Sequence, residues 1–451
     1  MFAEESRFPI RRRWASFLAA ALFLLTLSVL ISHPRMRQIS HLDNVVTLLS
    51  SKDTSHQSNG QQNVLKKPAG LKVHGLVFAG RPASAAILDC FLRKNLASNG
   101  GWLDGVRWVI NAHDADNVHD ASRQSWLENL VDDVPEYTSV IEYPESVQFN
   151  RVWRENVVPG AITVKFDDDM VWIGENVIPE IVTSLLEEPK AATVLVNLIN
   201  SAALGWIHES IGAMHAYLPE RKAPEHAPPE SYGPKAWRAS ALPTHRLHED
   251  LKSVDATPFF DTDEDWDGGA PYPNHRWLPV RNQGRSVRFT PVRRANFDPF
   301  SFQLGHWQIA AQAHYSFLQN LETDSLSKYM HFGNNVTGLW DLLGMRGNAN
   351  LMAVRSDDIL NNVDKFDGFD GKDDEAFMTQ ELPGYLGREC YIQSRALAVH
   401  FSFGPQRTLY ETDLLARYRA YANEFVCASD RQVEPIEVWP GIRDVWEKGD
   451  D

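Results

Sequence analysis

The sequence predicts an α/β fold, a mostly parallel, twisted sheet with helices on both faces, behind an N-terminal transmembrane helix. Three observations support this prediction. Short β-branched apolar runs alternate with segments of helical spacing over residues 71–205, which is the pattern of strand–helix–strand units. One of these runs, residues 162–166, ends directly in three aspartates. An uncharged apolar run of 18 residues occupies positions 14–31, about the shortest length that spans a bilayer.

The composition fits a folded domain with a sizeable core and argues against a nucleic-acid partner. Of the 451 residues, 43% are hydrophobic and 11% are aromatic. The formal net charge is −15, so no basic surface predominates to neutralise phosphates. The three cysteines, Cys90, Cys390 and Cys427, match neither a zinc pattern nor a disulfide framework. One pair could bridge in an oxidising compartment, and the sequence leaves open which.

The N-terminus has the features of a membrane anchor. Four arginines, at positions 7, 11, 12 and 13, precede the apolar run and only two follow it closely, so residues 1–13 should stay cytosolic and the rest should be lumenal. We expect residues 14–32 to be an uncleaved signal anchor, because the apolar run is longer than the usual core of a signal peptide. A cleaved signal peptide is the alternative.

A polar segment follows the anchor. Residues 50–63 carry almost no large apolar side chains, and such a stretch buries too little surface to order itself. Residues 33–70 are therefore expected to be a disordered stem. The folded domain is placed at residues 71–430, and residues 431–451 are a C-terminal tail.

The first half of the domain alternates strands with helices. Predicted strands cover residues 71–81, 106–112, 139–143 and 162–167, and predicted helices cover residues 83–96, 125–131 and 150–158. Neither a Gly-x-Gly-x-x-Gly nor a Walker sequence is present. Any bound phosphates would therefore depend on a metal and on side chains.

The second half is interrupted by a long insertion. A helix at 176–186 and a strand at 192–198 complete the first part, which ends near residue 205. Residues 219–291 are rich in Pro, His, Trp, Asp and Gly, and we predict an irregular insertion or lid. Regular structure resumes in residues 300–430, with helices at 307–321 and 408–425 and strands at 350–354 and 397–403.

The acidic triplet Asp167, Asp168 and Asp169 is the first chemical signal. Three adjacent carboxylates at a strand end repel one another unless a cation lies there, and Mg²⁺ or Mn²⁺ takes carboxylate oxygens and shares them with phosphates. On an extended segment Asp167 and Asp169 point to the same side and Asp168 points elsewhere. A solvated acidic turn is the alternative, but apolar runs on both sides favour a metal site.

A second acidic group, Asp373, Asp374 and Glu375, begins a predicted helix. Carboxylates are stabilised at helix N-termini by the helix dipole and the unpaired amides. This structural role explains one or two of the three residues. At least one of the three is therefore left as a candidate general base.

Together these motifs resemble the GT-A superfamily of nucleotide-diphospho-sugar transferases, which has a Rossmann-like fold. The motifs on which this resemblance depends are Lys165-x-Asp-Asp-Asp-x-Val171, the helix start at Asp373, and His400-Phe-Ser-Phe. In particular the sequence is similar to fungal type II membrane glycosyltransferases. The resemblance covers about residues 71–205 and 300–410. It implies an enzyme that moves a sugar from a nucleotide-diphosphate sugar to a glycan, glycolipid or small molecule, with Mn²⁺ or Mg²⁺.

The resemblance also implies roles for individual residues. Asp169 is the first expected metal ligand, with Asp167 beside it and His400 as a late third ligand. Asp374 is the expected base of an inverting transfer, with Asp373 and Glu375 one position away on either side. Retention stays open.

The nucleotide is expected at the ends of the first strands. Arg81, Asn111, Asp116 and Asp168 are the candidate contacts, Arg81 for the diphosphate or base and Asn111 and Asp116 for the base or ribose. The layout of tail, anchor and stem is similar to that of Golgi glycosyltransferases and implies a single-pass protein of the Golgi or ER membrane.

Two other classes stay open. A degenerate GT-A fold could serve as a carbohydrate-binding or scaffold protein, although the intact Asp167/Asp169 pair disfavours it. A metal-dependent phosphate hydrolase usually gathers several histidines around two metals. Here His208 and His215 lie apart from the carboxylates, and we interpret them as surface or core residues. Asn335-Val-Thr is the one N-glycosylation sequon.

Overall fold

The computed structural model describes the folded part of the chain with several gaps. The described residues are 65–111, 118–142, 149–201, 203–220, 222–224, 235–245, 269–281, 283–294, 306–367 and 373–435. The predicted cytosolic tail, the anchor and most of the stem lie outside them, as do residues 436–451 of the C-terminal tail, so those predictions stay predictions. Within the described ranges, no helix has the length and apolar character needed to cross a membrane.

The main sheet has nine strands in the described part of the chain, in the order β3-β2-β1-β4-β10-β6-β11-β5, with β9 pairing to β11. A separate ribbon is formed by β7 and β8. The strands are β1 (Val73–Ala79), β2 (Gly105–Asn111), β3 (Tyr137–Glu142), β4 (Ile162–Asp167), β5 (Met170–Ile173), β6 (Ala191–Ile199), β7 (Tyr217–Pro219), β8 (Trp277–Pro279), β9 (Leu339–Asp341), β10 (Leu351–Arg355) and β11 (Glu389–His400).

Most strands of this sheet run in one direction, as the sequence predicts. Strands β3, β2, β1 and β4 pair with one another in parallel, and β6 pairs in parallel with β11. Strand β10 runs antiparallel between β4 and β6, and β5 and β9 run antiparallel to β11. The prediction of a mixed α/β domain with a mostly parallel sheet is therefore confirmed.

The strand order reverses between β1 and β4. The chain moves outwards from β1 to β2 and β3 and then returns to the other side of β1 as β4. In open α/β sheets, ligands bind in the crevice at the carboxyl ends of strands at such a reversal. The residues that follow β1 and β4 are Gly80–Arg81 and the acidic triplet. The fold therefore places the predicted motif at the expected ligand-binding edge.

The helices surround the sheet. The α-helices are α1 (Pro82–Lys94), α2 (Val118–Asp132), α3 (Phe149–Asn156), α4 (Val177–Glu187), α5 (Gly205–Ser210), α6 (Gln283–Ser286), α7 (Trp307–Glu322), α8 (Ser356–Leu360), α9 (Val363–Asp367), α10 (Asp374–Ala376), α11 (Leu382–Leu386) and α12 (Leu414–Phe425). A π-helical turn (Phe377–Glu381) joins α10 to α11. Helix α4 packs against β6 and β11, and both α1 and α12 pack against β5.

Local sequence explains several of these elements. All nine residues of β6 are buried, as expected for a continuous apolar run covered on both faces. Helix α1 has Pro82 in its first turn, where a fixed φ and a missing N–H cost nothing. Helix α7 was predicted as amphipathic, but it is buried on nearly every side, polar Gln312 and His314 included. Gln312 and His314 find partners inside the protein instead of water.

Two parts of the second half, β11 and the predicted last helix, differ from the sequence prediction. Strand β11 begins at Glu389, earlier than predicted, and ends at His400. The predicted helix at 408–425 is divided, because Gly404–Glu411 forms a 3-10 segment and α12 starts only at Leu414. The two ends of the insertion lie side by side, since β7 pairs with β8 and Glu220 forms an ion pair with Arg276.

A disulfide joins two distant parts of the domain. Cys90 in α1 bonds to Cys427, just after α12, across a sequence separation of 337 residues. Cys390 is buried and free. This pairing, which the sequence left open, is the kind that persists in an oxidising compartment.

Candidate metal centre

The acidic triplet forms the turn between β4 and β5. Asp167 is the last residue of β4, and Met170 begins β5 three positions later. The two strands are separated in the sheet by β10, β6 and β11. The turn therefore lies where the carboxyl end of β4 approaches the carboxyl end of β11.

Asp168 is directed at the end of β1. One of its carboxylate oxygens accepts hydrogen bonds from the backbone N–H groups of Gly80 and Arg81, both at 2.5 Å. The other accepts from the Arg81 Nε at 2.7 Å. Among the described residues, the donors to Asp168 come from the β1 turn, and this carboxylate fixes the turn in place.

Asp169 is directed into the interior and is 0% exposed. Its Oδ2 accepts from Arg81 Nη1 at 2.8 Å and from the Ser402 N–H at 3.2 Å. Its Oδ1 lies 3.1 Å from His400 Nε2. Burial alone would raise the pKa of Asp169, but Arg81 and His400 lower that pKa to about 2. Asp169 is therefore a carboxylate throughout the physiological range.

Asp167 lies between a buried lysine and an asparagine. Its Oδ1 is 2.7 Å from Lys165 Nζ, and its Oδ2 accepts from Asn350 Nδ2 at 2.7 Å. Lys165 is also 3.5 Å from Asp374 Oδ2. Burial lowers the pKa of Lys165, but Asp167 and Asp374 more than reverse this and raise it. Lys165 is thus a permanent cation that links the triplet to helix α10.

His400 reaches the triplet because β11 is irregular at its end. The register against β5 shifts between Val399 and His400, and such bulges redirect a side chain next to functional sites. His400 is buried. Ligand atoms of Asp167, Asp169 and His400 all lie within 4.8 Å of one another. The three residues predicted as metal ligands are therefore brought together.

The charges and distances of this cluster fit a divalent cation. Four carboxylates (those of the triplet and Asp374) face two cations, Arg81 and Lys165, which leaves a formal charge of −2 when His400 is neutral. In an octahedral site with ligands about 2.1 Å from the ion, neighbouring ligand atoms are about 3 Å apart. The 3.1 Å between His400 Nε2 and Asp169 Oδ1 matches that spacing. Two carboxylates and an imidazole are suitable donors for Mn²⁺ or Mg²⁺.

Two carboxylates of the second acidic group, Asp373 and Glu375, have structural roles. Asp373 caps α10 by accepting from the Ala376 N–H at 2.9 Å, and it also pairs with Arg346 at 2.6 Å. Glu375 pairs with the same Arg346 at 2.7 Å and accepts from the Ala349 N–H at 3.1 Å. These two carboxylates are therefore occupied by one guanidinium and by the backbone.

Asp374 has a different environment. It is buried, and burial raises the pKa of its carboxyl group. Its Oδ2 makes no hydrogen bond to the described residues and lies 3.5 Å from Lys165. A π-helical turn follows directly, a feature that is frequent at functional sites. Of the three predicted candidates, Asp374 alone has a carboxylate oxygen directed at the metal cluster through Lys165.

The predicted nucleotide contacts are only partly placed. Arg81 and Asp168 bind each other at the end of β1, beside a small depression that Arg81, Pro82 and Trp126 help to line. Asn111 ends β2, and Asp116 lies outside the described residues. Their contacts with a nucleotide stay predictions. His208 and His215 lie elsewhere and bond to Asn197 and Asn320.

Sequence reasoning missed two residues of this region, Asn350 and Arg346. Asn350 precedes β10 and contacts both Asp167 and His400. Arg346 holds Asp373 and Glu375, on either side of Asp374. An asparagine before a strand and an arginine in a loop are ordinary residues, so only the position of β10 beside β4 could have pointed to them.

Comparison with known proteins does not assign the chain to a family. No family model matches the chain, and the curated proteins contain no match to it. The proposed function therefore rests on the geometry of the site.

Proposed function

We propose that the chain is a metal-dependent glycosyltransferase of the GT-A type, which transfers a sugar from a nucleotide-diphosphate sugar to a glycan, glycolipid or small-molecule acceptor. The observation that carries the proposal is the convergence of Asp167, Asp169 and His400 at the strand-order reversal, with ligand atoms within 4.8 Å. These residues would hold Mn²⁺ or Mg²⁺, which when bound neutralises the leaving diphosphate.

The protein groups around this site have separable tasks. Arg81 and Lys165 neutralise part of the carboxylate charge and hold Asp168, Asp169 and Asp167 in position. Asp374 would accept the proton of the acceptor hydroxyl, because burial raises its pKa towards the value that a general base needs. A base on the acceptor side implies inversion at the transferred carbon.

The Cys90–Cys427 bridge supports a location in the secretory pathway. With the basic residues before the apolar run at 14–31, it supports a type II protein of the Golgi or ER membrane whose catalytic part is lumenal.

The test is donor hydrolysis and transfer by the purified full-length protein in detergent. A panel of UDP- and GDP-sugars is incubated with Mn²⁺ or with chelator, and nucleotide release is measured. We expect release from one donor, lost with chelator and in Asp169→Asn. Asp374→Asn should abolish transfer but keep donor binding, whereas Asp358→Asn, in an acidic helix start away from the triplet, should keep both. Full metal-dependent turnover in Asp169→Asn would overturn the metal assignment. Sugar binding without nucleotide binding or turnover would favour the carbohydrate-binding alternative.

A further inference from the structure

Asn350 contacts two members of the Asp167, Asp169 and His400 cluster, although it belongs to a different part of the chain. It immediately precedes β10, which runs antiparallel between β4 and β6. The amino end of β10 therefore lies beside the carboxyl end of β4, next to Asp167. The Asn350 side chain is only 6% exposed, so its amide must find partners inside the protein.

The contacts of this amide form a chain of short distances. The terminal nitrogen is 2.7 Å from Asp167 Oδ2 and 3.2 Å from His400 Nε2. His400 Nε2 is in turn 3.1 Å from Asp169 Oδ1. The amide oxygen of Asn350 has no hydrogen-bond partner among the described residues, which is costly for a buried polar atom.

With Asp167 and Asp169 both ionised, no placement of hydrogens satisfies this arrangement without a cation. His400 Nε2 faces a carboxylate, which needs an N–H, and an amide N–H₂, which needs a lone pair, and one ring nitrogen cannot supply both. Rotating the amide by half a turn brings its oxygen to His400 and Asp167. That oxygen then faces the carboxylate of Asp167 at 2.7 Å, so two acceptors repel each other. A positive ion between the four groups removes both conflicts.

We infer that Asn350, with its amide oxygen turned inwards, is a fourth ligand of the divalent ion held by Asp167, Asp169 and His400. The inference rests on the metal centre of the proposed function. The successive spacings of 2.7, 3.2 and 3.1 Å are close to the roughly 3 Å between neighbouring ligands of an octahedral ion. Amide oxygens are accepted ligands of such hard cations, and a neutral one leaves the charge balance unchanged.

The experiment measures Mn²⁺ binding by the full-length protein in detergent, without donor or turnover. Free Mn²⁺ is followed by electron paramagnetic resonance during titration of the wild type, Asn350→Ala and Asn348→Ala. Asn348 is the matched control, because it lies on the same loop but bonds to Ser201 Oγ at 2.5 Å instead of the cluster. We expect Asn350→Ala to weaken Mn²⁺ binding about tenfold or more and Asn348→Ala to change it less than about twofold.

A structure of the Mn²⁺-loaded wild type provides a second measurement that needs no variant. We expect the Asn350 amide oxygen about 2.2 Å from the ion. Unchanged Mn²⁺ affinity in a folded Asn350→Ala, or an amide oxygen beyond coordination distance of the ion, overturns the inference and leaves the proposed function standing. A wild type that takes up no Mn²⁺ overturns the metal centre and this inference together.

Discussion

Arg81 offers a direct test of how the acidic triplet is held in place. The structure gives it two buried carboxylate partners, Asp168 and Asp169. Replacing it with methionine keeps the apolar stem and removes the charge. We expect Arg81→Met to destabilise the metal-free protein strongly at neutral pH, because two buried carboxylates lose their shared cation.

The magnitude follows from the pKa of Asp169. A pKa of about 2 lies about two units below the ordinary value, which corresponds to about 2–3 kcal/mol of native-state stabilisation from Arg81, His400 and the Ser402 amide together. Asp168 loses its partner as well, and breaking a buried ion pair by removing one side costs about 3–5 kcal/mol. We therefore expect a loss of about 3–5 kcal/mol.

The pH dependence of this loss has a defined sign. In the wild type the pKa of Asp169 is lowered, so its contribution is fully present above about pH 4 and is lost as the pH falls towards 2. In the variant the buried carboxyl groups lose the cation that opposed burial, so their pKa rises and they take up protons below neutrality. The stability gap between the two proteins should therefore narrow from about pH 7 to about pH 4.

The assay is urea unfolding with chelator present, followed by tryptophan fluorescence over that pH range. The control is Lys94→Met, which breaks the exposed ion pair with Glu175 and should cost at most about 1 kcal/mol. A loss in Arg81→Met below about 1 kcal/mol, or a loss that does not change with pH, would refute the reasoning.

Two further predictions concern the domain as a whole. Replacing Cys90 and Cys427 by serine should lower the free energy of unfolding by about 2–5 kcal/mol, because the bridge closes a very long loop. Alkylation of the unfolded, unreduced wild type should label Cys390 alone. Labelling of all three cysteines would contradict the bridge. Asn335 is exposed in a turn, so expression in a eukaryotic secretory pathway should add a glycan there. The glycan should be removed by endoglycosidase and absent in Thr337→Ala, and an unshifted wild-type band would argue against lumenal orientation.

The sequence was sufficient to predict most strands of the sheet and some residues of the candidate site. Strands such as β4 and β6 are apolar, β-branched runs with clear ends, and burial on both faces leaves little alternative to a strand. Asp167 and Asp169 could be paired because residues two apart on an extended chain share a side. His400 required the resemblance, since a histidine in an apolar strand gives no local sign of its partner.

The other features of the candidate site could not be predicted, because they depend on contacts between segments that are distant in the sequence. Arg81 was placed correctly at the end of β1, but its pairing with Asp168 and Asp169 follows from the position of β4 beside β1. Asn350 had no local signal, because its importance comes from β10 inserting between β4 and β6. The separation of Asp374 from Asp373 and Glu375 depends on Arg346, which comes from another loop.

The placement of β11 has a consequence for how the domain folds. This strand pairs with β6, β5 and β9, and its end brings the Ser402 amide to Asp169 across 233 positions of sequence. Contacts of such long range form slowly, because the intervening chain must be ordered first. During synthesis the acidic triplet leaves the ribosome long before His400 does, so for that time its carboxylates lack the contact with His400. The cluster of Asp167, Asp169 and His400 is assembled only when the final strand docks, so a chain that stops before residue 400 cannot complete it.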